Sequence, residues 1–209
     1  MTRALMIHRA GPAMTVQDGG RPGMLALGLS RGGAADRLAL AEGAALLGQD
    51  MDLAAIEMAM GGLFEPLEDM RIALSGAPMR ATLDGAPLLW GASYDLKTGQ
   101  MLDIGPVEAG VYGYLHIGGG VAGAPVLGAQ AAHLAAGIGR VLATGDKVAV
   151  GPDPGSAVGL ALPGDDRFQG GTVRAVAGPQ TAMFSEHEID RFAATTFARD
   201  ARLIGLNVG

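Results

Sequence analysis

Short apolar runs separated by glycine and proline constrain the fold more than any other feature of this sequence. The 209 residues include 35 glycines and 11 prolines, which fall between runs such as "ALMIH", "VYGYLHI" and "KVAVG". The length of these runs and their valine, isoleucine and leucine content are typical of strands. Because strands do not alternate regularly with helical segments, we expect a mostly β fold with a few helices, as an antiparallel barrel or sandwich.

Five further runs are predicted as strands: "RIALSGA", "ATLDGAPLLW", "MLDIG", "AVGLALPG" and "TVRAVAG". In "ATLDGAPLLW", the pair Asp84-Gly85 lies between two extended segments. This pair readily supplies the two positive φ angles of a type I′ turn. We therefore predict a β-hairpin at this position.

Helical periodicity is confined to a few segments. In "GAADRLALAEGAALLG" one predicted helix face contains Leu38, Ala41, Ala45 and Leu46. In "SEHEIDRFAATTF", Ser185 and Glu188 have the spacing of a capping box, which predicts a helix that begins after the serine. A shorter helix is predicted in "AQAAHLAAG".

Composition excludes several classes of function. No apolar stretch is long enough to span a membrane and the N-terminal apolar run is too short for a signal peptide, so we expect a soluble, cytoplasmic protein with no membrane partner. The absence of cysteine excludes disulfides, thiolate metal sites and a cysteine nucleophile. The net charge of -6, with 15 scattered lysines and arginines, argues against a nucleic-acid partner.

The sequence offers only weak signals for a nucleotide or a metal. "GGGVAG", residues 118–123, matches Gly-x-Gly-x-x-Gly, but Pro125 interrupts the start of the expected helix and no βαβ alternation surrounds it. The chain also lacks the Lys-Ser/Thr pair of a P-loop. The four histidines have no metal-ligand spacing, so no metal site is expected.

Several carboxylates lie beside glycine or small apolar residues and are expected to be partly buried and to need partners: Asp18, Asp36, Glu57 and Asp146. The partners predicted for them are Arg21 and Arg140. His116, in "YGYLHIGGG", is either a functional group or a half-buried histidine bonded to a carbonyl. Structural ion pairs and turn caps remain an equal alternative to a functional site for all of these residues.

A series of segments resembles the allophanate hydrolase subunit 2 family in order along the chain: "TVQDGGRPG", "GGAAD", "IEMAMGG", "ALSGAPMRATLDGAPL", "YLHIGGG", "PVLGA", "GRVLATGDKV" and "AGPQ". The most specific piece is Thr-x-Gln-Asp-x-Gly-Arg-x-Gly, which begins at Thr15 and ends at Gly23. The family includes the C subunit of 5-oxoprolinase and the matching part of urea carboxylase, which is a biotin-dependent carboxyltransferase. From this resemblance we expect the chain to correspond to subdomains C and D of the carboxyltransferase.

The resemblance implies a cyclophilin-like β-barrel followed by a second barrel. We expect residues 1–163 to form the first subdomain, residues 164–171 a linker, and residues 172–209 the start of an incomplete second β subdomain. It also implies a heteromer with a subunit 1-like partner, which is the B subunit of 5-oxoprolinase, and with the lactam-hydrolysing A subunit.

The activity that the resemblance implies is ATP-dependent hydrolysis of 5-oxoproline to glutamate, with the ATP site unassigned. In this hypothesis Arg21 stabilises developing charge and Asp18 is the base or orients the substrate. The predicted substrate-binding residues are Gln17, Asp36, Glu57, His116, Gly119, Gly120 and Gln130.

Two alternatives stay open. One is a carboxyltransferase component for urea or a related small amide, with biotin as cofactor. The other is a regulator without catalytic activity, because this chain has Gly32, Tyr112 and the "GAQAA" segment where the family commonly has hydroxyl groups and an arginine.

Overall fold

The computed structural model describes residues 3–155, 158–164, 166–172 and 174–197. The chain divides into two compact units, Met1–Gln169 and Gly170–Gly209. Within the described residues there are eleven strands and two α-helices. The mostly β fold with a few helices is therefore confirmed, and its strands are divided between two antiparallel sheets in the first unit.

The first sheet has six strands, in the order β11-β1-β4-β9-β6-β7. Their bounds are β1 Ala4–Ala10, β4 Gly62–Pro66, β6 Met79–Leu83, β7 Ala86–Leu88, β9 Leu102–Val107 and β11 Lys147–Ala149. Strands β6 and β7 form the predicted hairpin, in which Asp84 and Gly85 have φ angles of 50° and 84°. The Asp-Gly signal was sufficient because both turn residues need a left-handed backbone.

The second sheet has five strands, in the order β2-β3-β10-β5-β8. Their bounds are β2 Thr15–Gln17, β3 Ala55–Met58, β5 Met70–Gly76, β8 Ser93–Leu96 and β10 Gly113–Ile117. The main core takes side chains from both sheets and so lies between them. No pairing between the described strands closes the two sheets into a single barrel.

Helix α1, Arg37–Leu47, covers the outer face of the second sheet. Its buried face consists of Ala39, Leu40, Gly43, Ala44, Leu46 and Leu47. The predicted helix is confirmed, but of the predicted face only Leu46 is buried, and Leu38 is 56% exposed. The physical reason is that small residues let the helix approach the sheet closely: a Cβ on Gly43 would lie 2.1 Å from the His116 ring.

Two predicted strands are absent from the described residues. In the described part of "AVGLALPG", Ala161 makes a single bridge to Ala92, because Gly159 has a φ of 85° and Pro163 ends the extended segment. The described part of "TVRAVAG" is exposed and has no strand partner. The short helix predicted near residue 134 is a 3₁₀ turn, Leu134–Ala136.

The second unit contains helix α2, Glu186–Ala194. Ser185 and Glu188 form the predicted capping box. None of the helices in the described part of the chain is long and apolar enough to cross a membrane.

Candidate functional site

The glycines of "TVQDGGRPG" allow two backbone segments to approach each other closely. Gly20 has a φ of 75°, and a Cβ at this position would lie 2.5 Å from the carbonyl oxygen of Gly32. The adjacent Arg21 amide donates a 2.8 Å hydrogen bond to the Arg31 carbonyl. Only glycine fits this approach without strain. The glycine-rich backbone therefore brings the polar side chains of residues 17–21 to a defined position beside residues 31–34.

The Arg21 guanidinium is almost completely buried, with 1% of the residue exposed. Its Nε donates to the carbonyl of Val126 at 2.8 Å. Its Nη2 donates to the carbonyls of Ala129 and Ala131 at 3.1 Å and 2.8 Å. The prediction that Arg21 pairs with a carboxylate was wrong, because three backbone carbonyls more than a hundred residues away satisfy it instead.

The Asp18 carboxylate holds the same loop from the other side. Its Oδ1 accepts a 2.8 Å hydrogen bond from the Gly20 amide, and its Oδ2 accepts a 2.6 Å bond from the Gln130 amide. Gln17 donates from Nε2 to the Ala132 carbonyl at 3.2 Å. We call Gln17, Asp18, Arg21 and Gln130 the loop cluster, because all four attach residues 15–21 to residues 126–132.

Three side-chain atoms of the loop cluster are buried and have no hydrogen-bond partner among the described residues. They are Nη1 of Arg21, Oε1 of Gln17 and Oε1 of Gln130. Most buried polar atoms in proteins are paired, so each such atom needs an explanation. The cluster thus has one cationic donor and two amide acceptors whose hydrogen-bonding capacity is not used within the described residues.

A second polar group lies between helix α1 and the second sheet. The Tyr114 hydroxyl donates to Oε2 of Glu57 at 2.6 Å and accepts from the Asp36 amide at 2.8 Å. The Ala35 amide also donates to Oε2 of Glu57, at 2.8 Å. Burial raises the pKa of Glu57, and the bonds from Tyr114 and Ala35 oppose that increase. Burial and the neighbouring Glu57 raise the pKa of Tyr114.

His116 belongs to the same group and is buried against helix α1. Burial lowers its pKa to about 4, so its imidazole is neutral at pH 7. Its Nε2 lies 2.9 Å from Oγ of Ser75, which also bonds to the Ala39 carbonyl at 2.8 Å. We call Glu57, Ser75, Tyr114 and His116 the helix-side network.

Asp36 has a structural position at the start of α1. Its Oδ1 accepts a 3.0 Å bond from the Ala39 amide, and its Oδ2 lies 3.5 Å from Nη2 of Arg167. Of the two cations predicted as partners for the four carboxylates, Arg140 does pair with one of them: its Nη1 lies 2.5 Å from Oδ2 of Asp146.

Gly119 and Gly120 form the turn after β10 and have φ angles of 89° and 70°. A Cβ on Gly119 would lie 2.5 Å from the Gly151 carbonyl. The two glycines therefore allow two backbone segments to lie close together. No α-helix follows them in the described part of residues 118–150.

The structure thus brings Gln17, Asp18, Arg21 and Gln130 together and separates their contacts from those of Glu57 and His116. A substrate contact for any of these residues stays a prediction. Sequence reasoning missed Tyr114 and Ser75. The alternation of β10 was an available signal, because it puts Tyr114 and His116 on the same face of the strand.

Within the described residues, no group of three or more histidine and acidic side chains is arranged to hold a metal ion.

Comparison with known proteins gives the family. The model of the carboxyltransferase domain, subdomain A and B, matches residues 27–203. The chain therefore belongs to the carboxyltransferase domain family, and the resemblance found in the sequence is confirmed. The matching model describes subdomains A and B of that domain, whereas subdomains C and D were expected.

Individual relatives agree with the family. The chain is 36% identical over 203 residues to the C subunit of 5-oxoprolinase from Escherichia coli strain K12, covering 93% of this chain and 63% of that protein. The solved structure of TTHA0988 is 31% identical with a TM-score of 0.75, covering 78% of this chain and 34% of that one. Urea carboxylase of Kluyveromyces lactis is 26% identical with a TM-score of 0.69, covering 78% and 15%. The chain spans less than two thirds of the length of each.

Proposed function

We propose that this chain is a component of a cytoplasmic complex that hydrolyses 5-oxoproline to glutamate with ATP, in the role of the 5-oxoprolinase C subunit. The observation that carries the proposal is the 36% identity to such a protein across 93% of the chain. The chain would act with a subunit 1-like partner, the B subunit, and with the lactam-hydrolysing A subunit. ATP would be bound by the complex, and no residue of this chain is assigned to it.

The loop cluster is the proposed contact with substrate. A lactam presents one carbonyl acceptor and one N–H donor. Nη1 of Arg21 is available as a donor to the carbonyl, and the Oε1 atoms of Gln17 and Gln130 are available as acceptors for the N–H. A buried guanidinium also stabilises negative charge that develops on the lactam oxygen during reaction.

Asp18 is better suited to orient the site than to act as its base. Both of its carboxylate oxygens already accept backbone N–H bonds, one from Gly20 and one from Gln130. Bonds of this kind to a carboxylate are strong, and here they fix the loop that carries Gln130. In this proposal Asp18 is a positioning residue.

Substrate must displace part of the loop, because the three unpartnered atoms are closed off from solvent. Residues 122–128 are exposed, and Gly128 has a φ of 84°. Opening of this segment breaks the bond from Nε of Arg21 to the Val126 carbonyl, and in this proposal a substrate carbonyl takes the place of that acceptor. Opening of this segment is the proposed route for substrate to Arg21.

Reconstitution tests the proposal. The full chain is mixed with purified A and B subunits of 5-oxoprolinase from one organism, and glutamate released from 5-oxoproline is measured with and without ATP. We expect ATP-dependent glutamate release that requires this chain. Stable assembly without any release would favour the regulator, which binds its partner without turnover.

The likeness to urea carboxylase favours one second candidate, a carboxyltransferase component for urea or a related small amide. In that case biotin on another chain would deliver the carboxyl group, and the loop cluster would bind the amide. Affinity purification from the native organism separates the candidates: biotinylated chains support carboxyl transfer, whereas relatives of the A and B subunits support 5-oxoprolinase.

A further inference from the structure

A cavity of about 540 Å³ lies in the first unit between helix α1, the end of β5, residues 162–164 and residues 167–168. None of its lining residues belongs to the loop cluster. The volume is within the range of sites for small organic molecules. The proposed function therefore leaves this cavity unused.

The cavity wall is mainly apolar and is held by packed elements. Trp90 donates from its indole nitrogen to the Gly76 carbonyl at 3.1 Å, which fixes the ring. Leu162 packs on buried residues of helix α1 and β5. Leu38 and Leu89 line the opening and are 56% and 63% exposed. Exposed leucines beside an aromatic wall favour an apolar ligand.

The charged groups in the wall compensate each other. Arg167 forms a bidentate pair with Glu42, with one N–O distance of 2.7 Å, and lies 3.5 Å from Asp36. The guanidinium also lies over the Phe168 ring, 4.7 Å from its centre. Because its positive charge is matched by carboxylates, the wall offers no free cation to an anionic ligand. Ser75 also lines the wall, but its hydroxyl already bonds to the Ala39 carbonyl and to His116.

From this geometry we propose that the cavity binds a small uncharged molecule with an apolar, largely aromatic body and one hydrogen-bonding group. The body packs against Trp90 and the leucines, and the polar group contacts the Glu42–Arg167 pair. The site is a second ligand site of the chain, and its occupancy does not depend on the proposed 5-oxoprolinase activity.

The probe for this site is N-phenyl-1-naphthylamine, which is uncharged, aromatic and has one N–H. Trp90 is the single tryptophan of the chain, so transfer of its emission to the probe reports binding near the cavity. We expect saturable binding of one probe per full-length chain with quenching of Trp90. Non-saturable fluorescence, or binding that leaves Trp90 emission unchanged, would overturn the proposal.

A matched pair of variants locates the probe. Leu89→Glu introduces a charge at the cavity opening, and Leu25→Glu makes the same change at an exposed leucine outside the lining, 69% exposed. Since both side chains are mainly exposed, both variants should fold. We expect Leu89→Glu to weaken binding roughly tenfold or more, and Leu25→Glu to leave it unchanged. Equal affinities in the two variants would overturn the assignment.

Discussion

The loop cluster and the helix-side network are both buried and polar, but they satisfy their polar groups in different ways. In the loop cluster, Arg21 and Asp18 bond mainly to backbone groups of a loop more than a hundred residues away. In the helix-side network, Glu57, Tyr114 and His116 bond largely to side chains and to amides at the start of α1. The loop cluster therefore positions a loop, whereas the helix-side network fixes a helix on a sheet.

This difference separates the expected functions of the two regions. Only the loop cluster has both a cationic donor and amide acceptors without partners among the described residues. The helix-side network pairs its carboxylate with two donors and keeps its histidine neutral. In the proposal, the exposed residues 122–128 move aside for a substrate, whereas helix α1 stays packed on the second sheet.

The largest effect is expected for Arg21→Ala. The change removes three bonds to carbonyls, of which those of Val126 and Ala129 keep a backbone donor, and we expect a loss of about 4 kcal/mol in the free energy of unfolding, measured by urea titration. The control is Arg140→Ala, whose side chain is 63% exposed and which should lose about 1 kcal/mol or less. Equal losses in the two variants would contradict the structural role of Arg21.

A smaller effect is expected for Tyr114→Phe in the helix-side network. The change removes a donor to Glu57 and an acceptor for the Asp36 amide, and should lower the free energy of unfolding by about 2 kcal/mol at pH 7. Tyr94→Phe is the control, because its hydroxyl makes one exposed bond to the Leu89 carbonyl. A loss in Tyr114→Phe no larger than in this control would show that the network contributes little.

The pH dependence of stability tests the neutral state of His116. Its pKa falls from 6.5 in the unfolded chain to about 4 in the folded one, so the stability it contributes is present above pH 6.5 and is lost as pH falls towards 4. Between pH 7 and pH 5 this loss is about 2 kcal/mol. In the His116→Gln variant, the free energy of unfolding, measured by urea titration at each pH, should therefore fall less steeply as the pH is lowered.

The matched variant is His187→Gln, in an exposed position of helix α2. In this variant the free energy of unfolding should depend on pH as it does in the unmodified chain. If the free energy of unfolding of His116→Gln also depends on pH as in the unmodified chain, protonation of the His116 imidazole does not destabilise the folded protein.

The smallest effect is expected at Asp36, which caps helix α1 beside the helix-side network. Asp36→Ala removes the bond to the Ala39 amide and should cost about 1 kcal/mol in thermal or urea unfolding. Asp36→Asn can keep that bond and should restore most of the loss. If the asparagine variant is as unstable as the alanine variant, the pairing with Arg167 contributes more than the cap.

The sequence predicted features that depend on neighbours along the chain. The Asp84-Gly85 hairpin and the Ser185 capping box both involve residues at most three positions apart, and both are confirmed. The partners of Arg21 could not be predicted, because carbonyls 105 to 110 residues away have no side-chain signature in the sequence. Most of the predicted face of α1 is not buried, because close packing of Gly43 on His116, rather than leucine content, decides which face lies against the sheet.

The most direct test of the proposed substrate site is the KM for 5-oxoproline in the reconstituted complex with Gln130→Ala. Oε1 of Gln130 has no partner among the described residues, so the substitution should remove a substrate contact without loss of an internal bond of that atom. The control is Gln100→Ala, whose amide bonds to Asp84 and Lys97. We predict that KM rises roughly tenfold in Gln130→Ala and is unchanged in Gln100→Ala. An unchanged KM in both variants, with ATP-dependent turnover intact, would contradict the assignment of the loop cluster as the substrate site.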